Sequence, residues 1–342
     1  MEYVRLGSTG LEVSPICFGT WRFGLEHEDS GVVETDREDA HELLDALEER
    51  GGNFIDTANS YGGGDSERWI GEWLEGRDRE DYVVASKCFW STVSRFQENL
   101  SKKNVKAEVE GSLDRLDTEY LDILYLHRFD DHTPIEHTLR AVDDLVSEGK
   151  IHYVGISTCD AWRLVKGLWK ADVNNYEAFT VTQPEYSAVY REPVVDDLDQ
   201  PPEHKEPITE YLDVCEDQDL AVCPYSPLHG GFLTDKYERA DDGSVRGPDG
   251  ARADIDDAFE SDYVAEAAWN VLDEVRGGRR GGRRNARAGV AALAYGPRAI
   301  HMCAHRRCTD SRPVRRELRR CRGRPLRRPV GAHRRRDRRV GL

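Results

Sequence analysis

Lysine is scarce in this chain of 342 residues: there are nine, none beyond Lys236, and methionine occurs only twice. No uninterrupted apolar stretch approaches the ~18 residues of a membrane span. The opening M-E-Y-V-R-L-G has no apolar core of a signal peptide, so the expectation is a cytoplasmic protein with no membrane partner. No C-x-x-C pair is present; Cys17, Cys88, Cys159, Cys215 and Cys223 fall singly in strand-like or helix-like segments, as free buried thiols in a reducing compartment do. No G-x-G-x-x-G opens a βαβ unit, so a Rossmann cofactor site is unsupported, and Gly62-Gly63-Gly64 reads as a turn.

Charge is plentiful but unevenly signed. Before Arg276 lie 62 of the 65 acidic residues and 25 of the 48 basic ones, a net of −37, whereas residues 276–342 carry 23 arginines against three acids, a net of +20. An acidic surface without blocks reads as that of a protein from a salt-accumulating organism, the alternative being an ordinary acidic cytosolic protein. The arginine-rich stretch has neither helical nor strand periodicity. Out-of-frame reading of GC-rich DNA produces this composition, so residues 276–342 are expected to be a frameshifted, disordered tail; a basic arm for nucleic acid would first neutralise the acidic body, and no nucleic-acid partner is expected. His301, Cys303, His305 and Cys308 are metal-ligand types at plausible spacing, but they lie in this stretch and no metal site is assigned.

Three apolar runs end on chemistry. Asn53–Gly62 reads N-F-I-D-T-A-N-S-Y-G, delivering Asp56 to a strand tip with Tyr61 on the loop beyond; Tyr82–Lys87 ends on a lysine; Tyr120–Arg128, Y-L-D-I-L-Y-L-H-R, carries His127. With G-S-T-G-L-E-V-S-P-I-C-F-G-T-W, G-K-I-H-Y-V-G-I-S-T, T-Q-P-E-Y-S and P-Y-S-P-L-H-G-G-F-L-T-D-K-Y, the chain resembles the aldo-keto reductases over about residues 2–275. The resemblance implies a (β/α)8 TIM barrel with an N-terminal β-hairpin. It further implies NADPH-dependent reduction of an aldehyde or ketone, with NADH as the other option.

The chemistry fits the residue types. A free tyrosine with a pKa of about 10 needs a cation to become a useful acid, which Lys87, held by Asp56, would supply, while His127 would orient the carbonyl. By resemblance, Tyr61 gives the proton, and Gly19, Thr20, Ser157, Thr158, Gln183, Tyr225, Ser226, Leu228, Gly230 and Lys236 hold the cofactor. Among these, Ser157, Thr158 and Gln183 would meet the carboxamide, Tyr225 the nicotinamide ring, and the residues after it the pyrophosphate. Trp21 and Trp90 would line the mouth for an apolar or aromatic carbonyl compound. A nucleotide-sensing regulatory subunit of the same fold and a frameshifted inactive product are the rivals.

Strands are expected at Ile16–Gly19, Asn53–Asp56, Tyr82–Lys87, Leu121–Leu126, His152–Ile156, Phe179–Gln183 and Ala221–Pro224, after a hairpin of Tyr3–Leu6 and Leu11–Ser14. Helical periods fall between them, giving seven βα units and leaving the eighth corrupted or missing after residue 275. Val189–Pro207 and Glu238–Asp257 read as loops. The charge imbalance predicts that the barrel, in a restored reading frame, loses structure as salt falls below about 0.5 M, where its self-repulsion is less screened. Thermal melts across a salt series check this, and an unchanged melting temperature at about 50 mM salt would refute it.

Overall fold

Val83–Cys88 and Leu121–Leu126 are buried at every residue, as parallel strands covered on both faces must be. In the computed structural model, residues 1–27, 31–94, 98–189, 208–240, 244–248, 250–256, 259–280 and 301–303 are described. Strands β1 (Val4–Arg5) and β2 (Glu12–Val13) form an antiparallel hairpin. Then strands and helices alternate: β3 (Ile16–Gly19), α1 (Arg37–Glu48), β4 (Phe54–Asp56), α2 (Asp65–Leu74), β5 (Val83–Cys88), α3 (Lys102–Leu116), β6 (Leu121–Leu126) and α4 (Ile135–Ser147). The series continues through β7 (Ile151–Ser157), α5 (Ala161–Asn174), β8 (Phe179–Gln183), α6 (Ile208–Asp217) and β9 (Ala221–Val222). Beyond lie the hairpin β10 (Glu238–Arg239) and β11 (Val245–Arg246), helices α7 (Arg252–Ile255), α8 (Phe259–Tyr263) and α9 (Glu266–Arg280), and β12 (His301–Cys303).

The parallel sheet runs in the order β12-β3-β4-β5-β6-β7-β8-β9, the strand succession of a (β/α)8 barrel. Side chains alternate across it. Phe54, Val83, Ala85, Ile123, Tyr125 and Val181 fill the interior, while Ile55, Val84, Leu124, Leu126, Val154 and Ile156 pack under the helices. The hairpin joins the interior cluster through Leu6 and Val13, and the Tyr153 hydroxyl ties it down by donating to the Thr9 carbonyl at 2.8 Å. The N-terminal end of the strands is thereby stoppered, and the loops at the opposite end are left to carry function.

Helix ends follow local chemistry. Asp36 caps α1 by accepting from the Asp39 amide at 3.0 Å, Ser101 caps α3, and Asp117 and Asn175 end α3 and α5 in the left-handed conformation.

Beyond residue 275, α9 continues to Arg280, and the three residues of β12 pair in parallel with Ile16–Phe18. Ladder bonds use backbone groups that every residue except proline carries, so this strand forms without the alternation a sequence reading looks for. One sequence expectation is corrected. Glu238–Asp257 is not simply a loop, since it contains β10, β11 and α7; its Ala251 packs with residues from α8 and α9 in a second core of Phe232, Leu233, Tyr237, Ala251, Phe259, Ala268, Trp269 and Leu272. Val189 packs in that core, and the rest of the Val189–Pro207 expectation lies outside the described residues. So do His305 and Cys308, whereas His301 and Cys303 are residues of β12.

The interior is tight where β6, β7 and β8 meet. A Cβ at Gly155 would sit 2.4 Å from the Tyr125 ring and 2.9 Å from Val181, both fully buried. Gly155→Ala is expected to destabilise the protein by about 1–3 kcal/mol through overpacking. Denaturant melts of the two proteins measure the difference, and equal midpoints would refute it.

Candidate active site

The barrel brings Asp56, Tyr61, Lys87 and His127 together. Asp56 ends β4, Lys87 lies near the end of β5, and His127 follows β6, its amide bonded to the Cys88 carbonyl at 3.0 Å. Tyr61 begins a tight turn that only glycine permits at its next position: Gly62 has φ +55°, and a Cβ there would lie 2.4 Å from the Phe23 carbonyl oxygen.

Lys87 and Asp56 are both wholly buried. The ammonium has three donors and three acceptors: Asp56 Oδ2 at 2.5 Å, the Thr57 carbonyl at 2.8 Å and the Tyr61 hydroxyl at 3.1 Å. Burial pulls the lysine toward its neutral form, but Asp56 and Tyr61 outweigh it and leave the ammonium above its usual value. Asp56 is pushed up by burial and pulled back by Lys87 and Gln183. The Tyr61 hydroxyl departs from the sequence expectation of a lowered value: burial raises it, with Asp56 adding to the rise, and Lys87 reverses the shift only in part. The phenol therefore holds its proton at neutral pH.

His127 packs edge-on against Tyr61, with ring centroids 5.8 Å apart, and against Trp90 at 4.7 Å. Its Nδ1 is buried without a partner. Burial, then the nearby charges of Lys87 and Arg128, hold it well below the ordinary histidine range, so the ring is neutral near pH 7.

The residues assigned to the cofactor are distributed unevenly. Gly19 lies beside Asp56 in the β3–β4 ladder. The Thr20 hydroxyl is fully buried; it donates to the Asp56 carbonyl at 3.0 Å and lies 2.7 Å from Ser66, bracing the strand end. Ser157 donates to the Gln183 carbonyl at 2.9 Å and contacts Thr158 at 3.1 Å. The Gln183 amide nitrogen, expected to meet a carboxamide, donates to Asp56 Oδ1 at 2.9 Å. Tyr225 joins the end of β8 through its amide bond to the Pro184 carbonyl at 3.0 Å. Ser226, His229, Gly230 and Gly231 all have positive φ, and the His229 and Gly231 amides turn back to the Ser226 and Leu228 carbonyls. Lys236 lies over the Tyr237 ring at 4.7 Å. Trp21 is 43% exposed beneath the Arg252 guanidinium at 5.3 Å, which also covers Tyr263 at 4.7 Å; Tyr263 in turn meets His229 at 5.4 Å.

Several participants escaped the sequence reading. Arg22 is buried in ion pairing with Glu34, and burial followed by Arg252 lowers it to about 10. The strain at Thr158, a residue already assigned to the cofactor, escaped that reading too: its φ of +48° is an outlier for a β-branched residue, of a kind that clusters at functional sites. Buried Glu67 and Glu108 lie on the inner stripes of α2 and α3, beside Ile70 and Leu74 and beside Val105 and Val109. An acid at an apolar-stripe position was the signal that could have found them.

A neutral buried histidine binds a proton more readily in the unfolded chain, whose value is near 6.5, so its contribution to stability is lost as pH falls below that value. His127→Asn is therefore expected to flatten the decline in melting temperature between about pH 6.5 and 5.5 relative to the parent. Parallel curves for the two proteins would contradict it.

Among the described residues no group of three or more histidines, cysteines or acids could hold a metal ion, and no helix is long and apolar enough to cross a membrane. Comparison with known proteins gives concordant results. Residues 15–275 match the Aldo/keto reductase family. Norsolorinic acid reductase A of Aspergillus parasiticus is 35% identical over 251 residues, 70% of this chain and 60% of that protein. An aryl-alcohol dehydrogenase of Pestalotiopsis microspora is 34% identical over 248 residues, again 70% and 60%. The chain thus spans about three-fifths of the length of these relatives. A thermostable aldo-keto reductase crystallised with the inhibitor epalrestat superposes with a TM-score of 0.63 at 25% identity, covering 93% of each chain. With the strand-end lysine, aspartate and histidine gathered around one tyrosine, and with a match spanning most of its length, this chain belongs to the aldo-keto reductase family.

Proposed function

We propose that the protein reduces an aldehyde or ketone to an alcohol with NAD(P)H, NADPH being the favoured form and NADH the alternative. The observation that carries this reading is the saturated Lys87 ammonium, one of whose three bonds goes to the Tyr61 hydroxyl. The turn at residues 226–231, with positive φ at Ser226, His229, Gly230 and Gly231, brings the Ser226, Leu228 and Gly230 amides close together, a geometry that suits an anion, and the Ser157 and Thr158 hydroxyls suit a carboxamide. These donors fit a dinucleotide, held by Ser157, Thr158, Tyr225, Ser226, Leu228, Gly230 and Lys236. When bound, the nicotinamide supplies hydride to the carbonyl carbon.

The chain's own groups do the rest. Tyr61 keeps its proton until the carbonyl oxygen gains charge, then transfers it, while Lys87 stabilises the phenolate that remains. Asp56 holds the ammonium charged and fixed. Neutral His127 donates to the carbonyl oxygen and sets its direction without adding a full charge. Trp90 against His127 supplies an aromatic wall, which, with the relative named an aryl-alcohol dehydrogenase, favours an aryl carbonyl substrate.

A cytoplasmic location at high salt is part of the proposal, supported by the acidic composition before Arg276. The family match ends at residue 275, where composition changes, which supports a shifted reading frame beyond that point.

Tyr61→Phe is expected to abolish carbonyl reduction, by about 10²–10⁴-fold, while cofactor affinity changes little, because the hydroxyl acts in the transition state. Steady-state kinetics on aryl aldehydes with fluorescence titration of NADPH measure both. Retention of more than about a tenth of the rate would move the acid role elsewhere.

A further inference from the structure

Glu108 lies on the inner face of α3, fully buried and outside the Asp56–Lys87–Tyr61 group. Its oxygens collect donors from two loops. Ser91 Oγ donates to Oε1 at 2.6 Å; Thr92 contributes its amide at 3.0 Å and its hydroxyl, to Oε2, at 2.7 Å; the Val93 amide reaches Oε1 at 3.3 Å. Asn59 Nδ2 donates to Oε2 at 2.8 Å and also to the Trp90 carbonyl at 2.6 Å. The Asn59 amide is itself bonded to the Lys87 carbonyl at 3.2 Å.

These contacts fasten the segment ahead of Tyr61 to the residues flanking Trp90. Asn59 stands two residues before Tyr61, and Ser91 and Thr92 follow Trp90 directly. The carboxylate charge is maintained: burial pushes its pKa up, but the donors from Ser91, Thr92 and Asn59 outweigh this and leave it below the ordinary value. A buried carboxylate held by neutral donors is a stiff fastening, since breaking any bond leaves charge uncompensated. Arg115 bonds the Thr92 hydroxyl at 3.2 Å and Glu67 at 2.7 Å, extending the fastening to α2.

We propose that Glu108 is a positioning residue: through Asn59, Ser91 and Thr92 it sets the packing of Trp90 on His127 and so the direction of the hydrogen bond that His127 gives the substrate. This rests on the carbonyl-reductase reading above. The Trp90 ring lies 4.7 Å from the imidazole and near perpendicular to it, so a displaced loop turns the histidine as well.

The test uses the full chain with two variants. Glu108→Gln keeps the shape but turns an amide group toward donors; Ser91→Ala with Thr92→Val removes two donors at positions open enough to leave folding intact. Glu108→Gln is expected to lower kcat for aryl aldehydes about tenfold or more with KM for NADPH unchanged, and the double variant to lower it less in the same direction. Nitrogen-15 spectra of the histidine rings, with the His127 signal identified by its loss in His127→Asn, are expected to show that signal displaced in both. A lower melting temperature with kcat and the His127 signal unchanged would overturn the proposal. If Glu108→Gln does not fold, the double variant decides alone. If the parent protein reduces no carbonyl compound, the reductase reading falls, and the His127 signal by itself decides for or against Glu108.

Discussion

An ammonium group buried inside a barrel dictates much of what surrounds it. Taking Lys87 out of water costs several kcal/mol, and the cost is offset only when every donor finds an acceptor and one acceptor is charged. Asp56, the Thr57 carbonyl and Tyr61 meet that requirement together. Because these acceptors come from β4 and the turn after it, the register between β4 and β5 has to be right to within one residue. Gln183, reaching across from β8 to the second Asp56 oxygen, extends the requirement to the far side of the sheet. The hydroxyl chain Thr20–Ser66–Thr57 braces the same strand end from outside.

Around this centre the molecule spends buried polarity in an orderly way. Glu67 accepts from Ser86 and Arg115, Glu108 from the loops beside Tyr61 and Trp90, and Asp122 from the Val84 amide and Arg79. Each acid is fixed between consecutive βα units, so neighbouring strand ends are coupled through side chains as well as through the ladder. Densely bonded networks of this kind specify one arrangement where apolar packing alone would tolerate several.

Asp56, Tyr61, Lys87 and His127 were legible as a group because each closes an apolar run or stands a fixed distance beyond one, and such runs read as buried strands. The strand limits were legible for the same reason, to within two residues at each end. What stayed hidden depends on contacts between distant positions. The Gln183–Asp56 bond spans 127 residues, and the Arg252 cover on Trp21 joins the first loop to one of the last. The elevated Tyr61 value was missed because a residue list carries charge but not burial. β12 left no signal in the sequence because three residues give no periodicity, only backbone.

The second core bears on how a ligand could come and go. Phe232, Tyr237, Phe259 and Trp269 pack among themselves, in a cluster separate from the barrel interior and from the layer beneath the helices. Proteins open locally in contiguous units with different free energies, and a small peripheral cluster is the kind of region that opens first. The segment that carries Arg252 and Tyr263 over the mouth can thus undergo sub-global opening while β4, β5 and β6 keep their amides protected. Exchange of the dinucleotide proposed above would then be timed by the lability of this small cluster, while Asp56, Tyr61, Lys87 and His127 remained assembled.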